Sequence, residues 1–389
     1  MTLPPAHDVR HEDPHEGSPA PTGEQRVQAL QPPVRRGDAA WVRAAPLVFV
    51  MNAGSGSNEA EATRETITRE VERSGRVLHF VLIDAAADLP ARAAEAAARA
   101  RDLDGVLVAV GGDGTLNVIA GAALAADVPL GVIPQGTFNF FGRNLGIPTE
   151  LEPALRVLLD PCMRSLRLGR VGPAQARAQA GEGVPRQLFL VSASLGFYPQ
   201  IIEDREYWKQ QLGRRRIVAL WSGLMTLLGQ HRTLRLTLRG SSGQAATVKT
   251  STLLVSDNAL QMANLGLPEA QAIEDGQLAG LVVRATSRWQ LLGLALRGAL
   301  KRLADDERLQ RFTFERLEVA VRRPAPGFRF KVAVDGEIHE YASPLVFDVS
   351  PQPLQVLVPW PDAISAEARD AREAMGERAA AVPAGAATA

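Results

Sequence analysis

Short apolar runs alternate with helix-like stretches in the first part of the chain. Four of these runs predict buried strands, and they lie at 46–51, 77–83, 106–110 and 130–133. The stretches between and after them predict helices at 59–72, 88–101 and 118–124. Alternation of strand and helix at this spacing predicts βαβ units, and therefore a parallel sheet with right-handed crossovers.

The hydrophobic pattern changes after about residue 165, where apolar and polar residues alternate with a period of two. Strand candidates with this texture lie at 166–171, 187–194, 234–239, 248–255, 280–284, 317–321 and 328–334. Many short strands separated by Gly and Ser turns are typical of an antiparallel sandwich or barrel. Two amphipathic helices are predicted among them, roughly at 215–229 and 288–303.

These patterns divide the chain into an α/β domain at 45–160 and an antiparallel β domain at 161–360. Residues 1–44 are rich in proline and have no apolar period, so we expect a disordered tail. Residues 361–389 predict a C-terminal helix followed by a frayed tail.

A glycine-rich turn follows the third predicted strand. Gly111, Gly112 and Gly114 allow the backbone to approach a ligand closely, and Thr115 begins the stretch that leads into a helix. The free N–H groups of a helix start attract an anion, so this turn predicts a phosphate cradle. Asp113 repels phosphate unless a cation bridges the two groups, and it therefore indicates Mg²⁺ or a proton-transfer role.

Two further polar turns follow predicted strands of the same sheet. Asn52, Ser55 and Gly56 follow the first strand, and Gly136, Thr137 and Asn139 follow the fourth. Because ligands of parallel sheets bind at the carboxyl ends of the strands, we expect all three turns at one edge. Together they predict a nucleotide site.

Composition and charge narrow the class of protein. Lys and Arg together number 43, as do Asp and Glu, so no global charge points to a nucleic-acid partner. The single cysteine, Cys162, excludes an intrachain disulfide and is typical of a reducing compartment. We expect neither a signal peptide nor a membrane span, since the chain has no apolar segment of either kind.

The motifs of this chain, taken in the order in which they occur, resemble those of the diacylglycerol kinase catalytic-domain family, which includes bacterial lipid kinases and sphingosine kinases. The similar segments are Asn52–Gly56, Gly111–Asn117, Gly136–Asn139, Val191–Phe197, Glu274–Gly276 and Val334–Glu337. The resemblance covers roughly residues 46–360. The Gly-Gly-Asp-Gly-Thr turn alone is less specific, because NAD kinases and phosphofructokinases carry similar turns.

The resemblance implies an α/β nucleotide-binding domain, like that of NAD kinases and diacylglycerol kinases, followed by an antiparallel β-sandwich. The active site would lie in the cleft between the domains and use ATP and Mg²⁺. The nucleotide side would consist of residues from the three turns: Asn52, Ser55, Gly56, Gly111, Gly112, Gly114, Thr115, Gly136, Thr137 and Asn139.

Three carboxylates receive roles from the same resemblance, each with a structural alternative. Asp113 would lie beside the Mg²⁺-bound phosphates, or cap the helix that follows. Glu337 would be the general base, or an ordinary carboxylate beside the Asp335-Gly336 hairpin turn. Asp275 would hold a structural Mg²⁺, or belong to an acidic turn without an ion.

Two positions depart from the family pattern. Many members carry an aspartate near the acceptor hydroxyl where this chain has Phe140, and a basic residue where it has Ser57. A phenyl ring neither accepts a proton nor binds Mg²⁺. Phe140 therefore leaves a nucleotide- or lipid-binding protein without catalysis as one alternative. The glycine turn that NAD kinases share leaves a NAD-kinase-like enzyme as another.

The implied substrate is a lipid hydroxyl, which places the protein at the cytoplasmic face of a membrane. The basic cluster at 208–216, next to Trp and aliphatic residues, favours peripheral membrane contact, or else a helix that covers the sandwich. The sequence leaves the oligomeric state open, with a homodimer among the alternatives.

Overall fold

The first sheet has four parallel strands that are joined by helices. The computed structural model describes residues 39–52, 58–174, 186–196, 233–241, 243–284, 290, 293, 306–322 and 328–361. The parallel strands are β1 (Leu47–Asn52), β2 (Leu78–Ile83), β3 (Val106–Gly111) and β4 (Leu130–Pro134). All four begin within two residues of the predicted positions. They are almost wholly apolar because both faces of a parallel sheet are buried.

The helices of this domain also follow the predicted alternation. They are α1 (Ala39–Ala44), α2 (Asn58–Arg73), α3 (Leu89–Asp102), α4 (Asp113–Ala126), α5 (Phe140–Asn144) and α6 (Leu151–Leu159). Helix α1 forms the end of the segment that we predicted as a disordered tail. Helix α4 begins five residues before the predicted position, because the extended backbone of Gly112 is its N-cap. Part of the glycine turn is therefore the first turn of a helix.

The second half of the described chain forms two antiparallel sheets that enclose one apolar core. The strands of one sheet are β6 (Gly169–Pro173), β7 (Gln187–Phe189), β9 (Leu234–Gly240), β10 (Ala245–Thr250), β14 (Arg316–Val321) and β17 (Leu345–Val349). Those of the other are β8 (Ser192–Gly196), β11 (Thr252–Ser256), β12 (Leu278–Val283), β13 (Leu309–Phe314), β15 (Arg329–Val334) and β16 (Glu337–Ala342). The strand order is β10-β9-β14-β17-β6-β7 in the first of these sheets and β13-β12-β11-β8-β15-β16 in the second. The predicted α/β domain followed by an antiparallel sandwich is confirmed.

Three predicted strands are each divided between two sheets. The run at 166–171 breaks at Arg167, which donates from Nε to the carbonyl oxygen of Ser350. Its first part belongs to β5 (Cys162–Leu166), a strand of the first sheet. The run at 187–194 breaks at Leu190–Val191, and the run at 248–255 breaks at Ser251. The alternation of apolar and polar residues continues through the point where the chain passes from one sheet to another. We call such a point a crossing, and the pattern alone does not predict where it occurs.

The domain boundaries also differ from the predicted ones. Strand β18 (Leu354–Val358) returns to the first sheet between β4 and β5, so both ends of the predicted β domain contribute strands to the α/β sheet. Two short helices, α7 (Ala259–Asn264) and α8 (Ala270–Glu274), follow β11. The predicted helix at 215–229, the basic cluster at 208–216, most of the helix at 288–303 and the C-terminal helix lie outside the described residues. Within the described part of the chain, no helix is long and apolar enough to cross a membrane.

Candidate active site between the two domains

The order of the parallel strands produces a crevice at the edge where the glycine turns lie. Strands β1 and β3 are neighbours, with β2 beyond one of them and β4 beyond the other. The connections that leave β1 and β3 therefore diverge, and ligands of parallel sheets bind at such a point. Asn52 ends β1 and Gly111 ends β3. Ser55 and Gly56 lie outside the described residues.

The turns after β3 and β4 are packed directly against each other. A Cβ atom on Gly112 would lie 3.2 Å from the Cα of Gly136, and one on Gly136 would lie 2.7 Å from the Cα of Gly112. The N–H of Gln135 also donates to the carbonyl oxygen of Gly111 at 2.8 Å. Glycine is required at position 136, where a Cβ would overlap a backbone atom, and a Cβ at position 112 would be tightly packed. The two predicted turns therefore form one continuous glycine-lined wall.

The Asn139 side chain shapes its own turn. Asn139 has a φ of 51° and is 5% exposed. Its Oδ1 accepts from the N–H of Gly136 at 2.7 Å, and its Nδ2 donates to the carbonyl oxygen of Gly136 at 2.9 Å. Both ends of the amide are therefore used within the turn. Asn139 therefore fixes the backbone of its own turn, whereas the side chain of Thr137 is exposed to solvent.

Asp113 connects the two glycine turns. It is the first residue of α4, and its Oδ2 and Oδ1 accept from the N–H groups of Phe140 and Phe141 at 3.2 and 3.1 Å. One alternative predicted that Asp113 caps the helix that follows. The N-cap of α4 is instead Gly112, so Asp113 does not have this role. It instead satisfies two N–H groups at the start of α5. Each carboxylate oxygen retains a further lone pair that can face a cation.

A buried hydrogen-bond network joins the α/β domain to the sandwich at Asn117 and Asp335. The Nδ2 of Asn117 donates to Asp335 Oδ2 at 2.7 Å and to the carbonyl oxygen of Leu188 at 2.9 Å. The Asp335 carboxylate also accepts from the N–H groups of Leu190, Val191 and Ser192 at 2.7–3.0 Å. Loss of hydration raises the pKa of Asp335, and these hydrogen bonds oppose that rise. Neither residue is among the site residues predicted from the sequence.

One signal in the sequence bears on this network. Asp335 has a φ of 45° and precedes Gly336, whose φ is 92°, so the pair forms a tight turn between β15 and β16. An Asp-Gly pair predicts such a hairpin turn, but it does not predict which backbone groups the carboxylate binds. Those groups lie more than 140 residues earlier in the chain.

The hairpin turn places Glu337 opposite the glycine wall. Glu337 is the first residue of β16, and a Cβ atom on Gly114 would lie 3.9 Å from its Oε1. The side chain of Glu337 is 69% exposed, with the Nε2 of His339 3.9 Å from its Oε2. A solvent-accessible carboxylate from the sandwich therefore faces the glycine turn of the α/β domain.

Phe140 and Phe138 form an aromatic pair on the same turn. Their ring centroids lie 5.7 Å apart with an interplanar angle of 12°. Phe138 is 59% exposed, whereas Phe140 packs partly against the α/β core. The carbonyl oxygen of Phe140 accepts from Asn258 Nδ2 at 3.1 Å, which is a second contact between the domains. The turn therefore presents apolar rings, and the backbone of Phe140 contacts the sandwich.

Asp275 lies away from this wall, at the end of α8. Its side chain is exposed, and its Oδ1 is 3.5 Å from Gln271 Nε2. Within the described ranges, no three His, Cys, Asp or Glu side chains gather closely enough to hold a metal ion. The metal role of Asp275 therefore stays a prediction that would need backbone and water ligands.

Comparisons with known proteins agree with the family that the chain resembles. The sequence model of the diacylglycerol kinase catalytic domain matches residues 46–171. Diacylglycerol kinases of Staphylococcus saprophyticus and Staphylococcus haemolyticus are 34% and 32% identical to this chain over 125 residues. These matches cover 32% of this chain and 40% and 37% of the two relatives. The chain thus matches less than half the length of these curated relatives.

Solved structures extend the likeness in fold beyond this segment. A putative diacylglycerol kinase from Bacillus anthracis has a TM-score of 0.61 at 17% identity, over 82% of this chain and 99% of that one. A second structure from the same organism, described as a diacylglycerol kinase, has a TM-score of 0.57 at 15% identity. At such identities the likeness establishes the two-domain fold alone.

Proposed function

We propose that this chain, whose residues 46–171 match the sequence model of the diacylglycerol kinase catalytic domain, transfers the γ-phosphoryl group of ATP to the hydroxyl of a lipid such as diacylglycerol. One observation carries the proposal. The Glu337 carboxylate of the sandwich faces Gly114 of the glycine wall, with Oε1 3.9 Å from the position of a Cβ. A candidate base and a candidate phosphate cradle therefore meet across the two domains, as phosphoryl transfer requires.

The glycine wall is chemically suited to the phosphates of ATP. Gly111, Gly112 and Gly114 have no side chains over the backbone, and the first N–H groups of the 14-residue helix α4 have no partner within that helix. We assign Thr115, Gly136 and Thr137 to the same wall, and Asn52, Ser55 and Gly56 to the nucleotide side beyond it.

The donors near the wall also suit Mg²⁺. Magnesium in phosphoryl-transfer enzymes uses one or two carboxylates together with substrate phosphates and water, so the single carboxylate of Asp113 is sufficient. When bound, the ion neutralises negative charge on the phosphates. Asp113 also keeps the two turns together through Phe140 and Phe141, whether or not the ion is present.

Glu337 is the group that we assign to the acceptor hydroxyl. Its carboxylate takes the hydroxyl proton while the lipid oxygen forms a bond to the γ-phosphorus. The bond from that phosphorus to the β,γ-bridging oxygen breaks, and ADP leaves with the electron pair. Because Phe140 replaces the aspartate of many relatives, Glu337 would act without a second acidic side chain on that turn. The exposed ring of Phe138 offers apolar contact to the lipid.

We place the protein at the cytoplasmic face of a membrane, in peripheral contact with it. This placement rests on the lipid substrate and on the basic cluster at 208–216, which lies outside the described residues. A homodimer remains a prediction of the sequence that the contacts of one chain leave untested, and we assign no nucleic-acid partner.

The test is transfer of the labelled γ-phosphate of ATP into a fractionated lipid extract, with the product identified by mass. We expect a phosphorylated lipid from the full chain and none from Asp113→Asn. Phosphorylation of NAD but of no lipid would favour the NAD-kinase-like alternative. Tight ATP binding without transfer to any lipid would favour a binding protein.

A further inference from the structure

The outer face of the sheet β10-β9-β14-β17-β6-β7 carries a large excess of positive charge. Apolar residues at alternate positions of these strands, such as Leu236, Val319 and Phe347, point into the sandwich core. The intervening positions therefore point away from that core. We call this surface the basic face.

Seven cationic side chains and two carboxylates belong to the basic face among the residues that the structure describes. The cations are Arg170, Arg186, Arg235, Arg239, Lys249, Arg316 and Arg322. The carboxylates are Glu318 and Asp348. The whole chain has no net charge, so this excess of five positive charges is a local feature and not an average property.

In one part of the basic face, a single carboxylate serves three guanidinium groups. Asp348 accepts from Arg170 and Arg316 at 3.1 and 3.3 Å, and it also pairs with Arg186. Arg170 and Arg316 are the register neighbours of Asp348 on the two adjacent strands. One negative charge cannot neutralise three positive charges, but the side chains of Arg170 and Arg186 are only 24% and 16% exposed. The surplus charge that a partner could reach in this cluster is therefore mainly that of Arg316, which is 42% exposed.

Another part of the basic face has cations without any carboxylate between them. Lys249 of β10 lies opposite Arg235 of β9, and the N–H of Arg322 donates to the carbonyl oxygen of Arg235 at 2.8 Å. All three side chains are exposed, and none pairs with a carboxylate of the described chain. Like charges directly opposite each other destabilise a sheet. A row of this kind is stabilised when a polyanion supplies the missing negative charge.

We propose that the basic face binds the surface of an anionic lipid bilayer. The exposed cations lie on three adjacent strands, β10, β9 and β14, about 4.8 Å apart, and anionic headgroups spread over a plane match this area of charge. The choice of a bilayer over another polyanion rests on the proposed lipid kinase function, because its substrate lies in a membrane. Juxtaposed cations and lipid headgroups attract each other over about one Debye length, so contact would dock the whole chain.

Co-sedimentation of the full chain with vesicles tests the proposal without ATP or turnover. We expect binding to phosphatidylcholine vesicles that contain phosphatidylglycerol, weak binding to pure phosphatidylcholine, and release by salt. The triple variant Arg235→Gln, Lys249→Gln, Arg322→Gln should lower the partition coefficient on the order of a hundredfold. A control triple variant, Arg73→Gln, Arg92→Gln, Arg101→Gln, removes the same charge from exposed positions of α2 and α3 and should bind nearly as the parent does.

Four results would overturn the proposal. The first three are equal loss of binding in both triple variants, unchanged binding in the basic-face variant, and tighter binding to nucleic acid than to vesicles at the same ionic strength. Circular dichroism and the melting temperature of both variants would establish that they fold. Phosphorylation of a short-chain diacylglycerol in solution reports the kinase function separately. The fourth result is an enzyme that phosphorylates the soluble lipid but does not bind anionic vesicles. It would contradict membrane binding by the basic face without contradicting the kinase function.

Discussion

At the residue scale, Glu337 has the most direct consequence for activity. We expect Glu337→Gln to lower kcat/KM by about two to four orders of magnitude, the usual contribution of a general base, with little change in KM for ATP. Glutamine has nearly the same size but cannot take the hydroxyl proton. Steady-state kinetics with labelled ATP measure the effect. Glu340→Gln is a matched control, because Glu340 is an exposed glutamate of the same strand that pairs with Arg329 instead. Comparable rates for Glu337→Gln and the control would remove Glu337 from the mechanism.

Some residue roles were accessible from the sequence and others were not. The family resemblance implied that residues of both domains line one cleft, and in the structure Glu337 of the sandwich faces Gly114 of the α/β domain. The internal role of Asn139 did not, because an amide after a glycine turn can serve a ligand or its own turn equally well. The bonds of Asp113 to the N–H groups of Phe140 and Phe141 depend on how two distant turns pack.

At the element scale, the contact between the two glycine turns predicts the effect of Gly136→Ala. The added Cβ would lie 2.7 Å from the Cα of Gly112, and a backbone atom cannot rotate away as a side chain does. We expect the turns to separate, with a loss of about 1–3 kcal/mol in unfolding free energy and weaker ATP binding. Denaturant titration and ATP-binding calorimetry measure the two effects. Gly240→Ala should change neither, because no atom lies within 4 Å of its Cβ position. Parent-like ATP binding by Gly136→Ala would contradict the assigned cradle.

Asp257, which follows β11, should make the stability of the folded protein depend on pH. Loss of hydration raises the pKa of Asp257 well above its usual range, although its Oδ2 accepts from the N–H of Gly169 at 2.7 Å. At a pH between the pKa of Asp257 in the unfolded chain and its higher pKa in the folded protein, the folded protein binds more protons than the unfolded chain does. The contribution of Asp257 to the free energy of unfolding therefore falls as pH rises. Asp257→Asn keeps a carbonyl acceptor and removes the titration. We therefore expect its melting temperature relative to the parent to increase from pH 4 towards pH 7. A difference that is constant or decreases with pH would contradict this explanation.

Patterns of single elements predicted the α/β sheet better than the sandwich. Buried parallel strands are continuous apolar runs, and they were visible at β1 to β4. The crossings at Arg167 and at Leu190–Val191 were not visible, because the alternating texture continues through them. The groups that hold these crossings, Ser350 and Asp335, lie far away in the chain.

At the scale of the whole molecule, Asn117 and Asp335 determine how firmly the two domains are joined. Asn117→Ala removes a buried hydrogen bond to a carboxylate and leaves the carbonyl of Leu188 without that donor. Such a loss costs about 1.5–3 kcal/mol, which lowers the melting temperature by roughly 2–5 °C in a chain of this size. Because the junction also positions Glu337 opposite Gly114, we expect kcat/KM to fall as well. Scanning calorimetry and kinetics measure the two effects.

Asn117→Asp separates the charge of this junction from its packing. It preserves size but places a second carboxylate beside Asp335, whose pKa loss of hydration already raises. At pH 7 we expect a larger destabilisation than in Asn117→Ala, since two carboxylates that share one site repel each other. Towards pH 5 one of the two takes up a proton and can donate to the other, so the order of the two variants should reverse or converge. If Asn117→Asp stayed equally unstable at both pH values, packing rather than the Asn117–Asp335 hydrogen bond would join the domains.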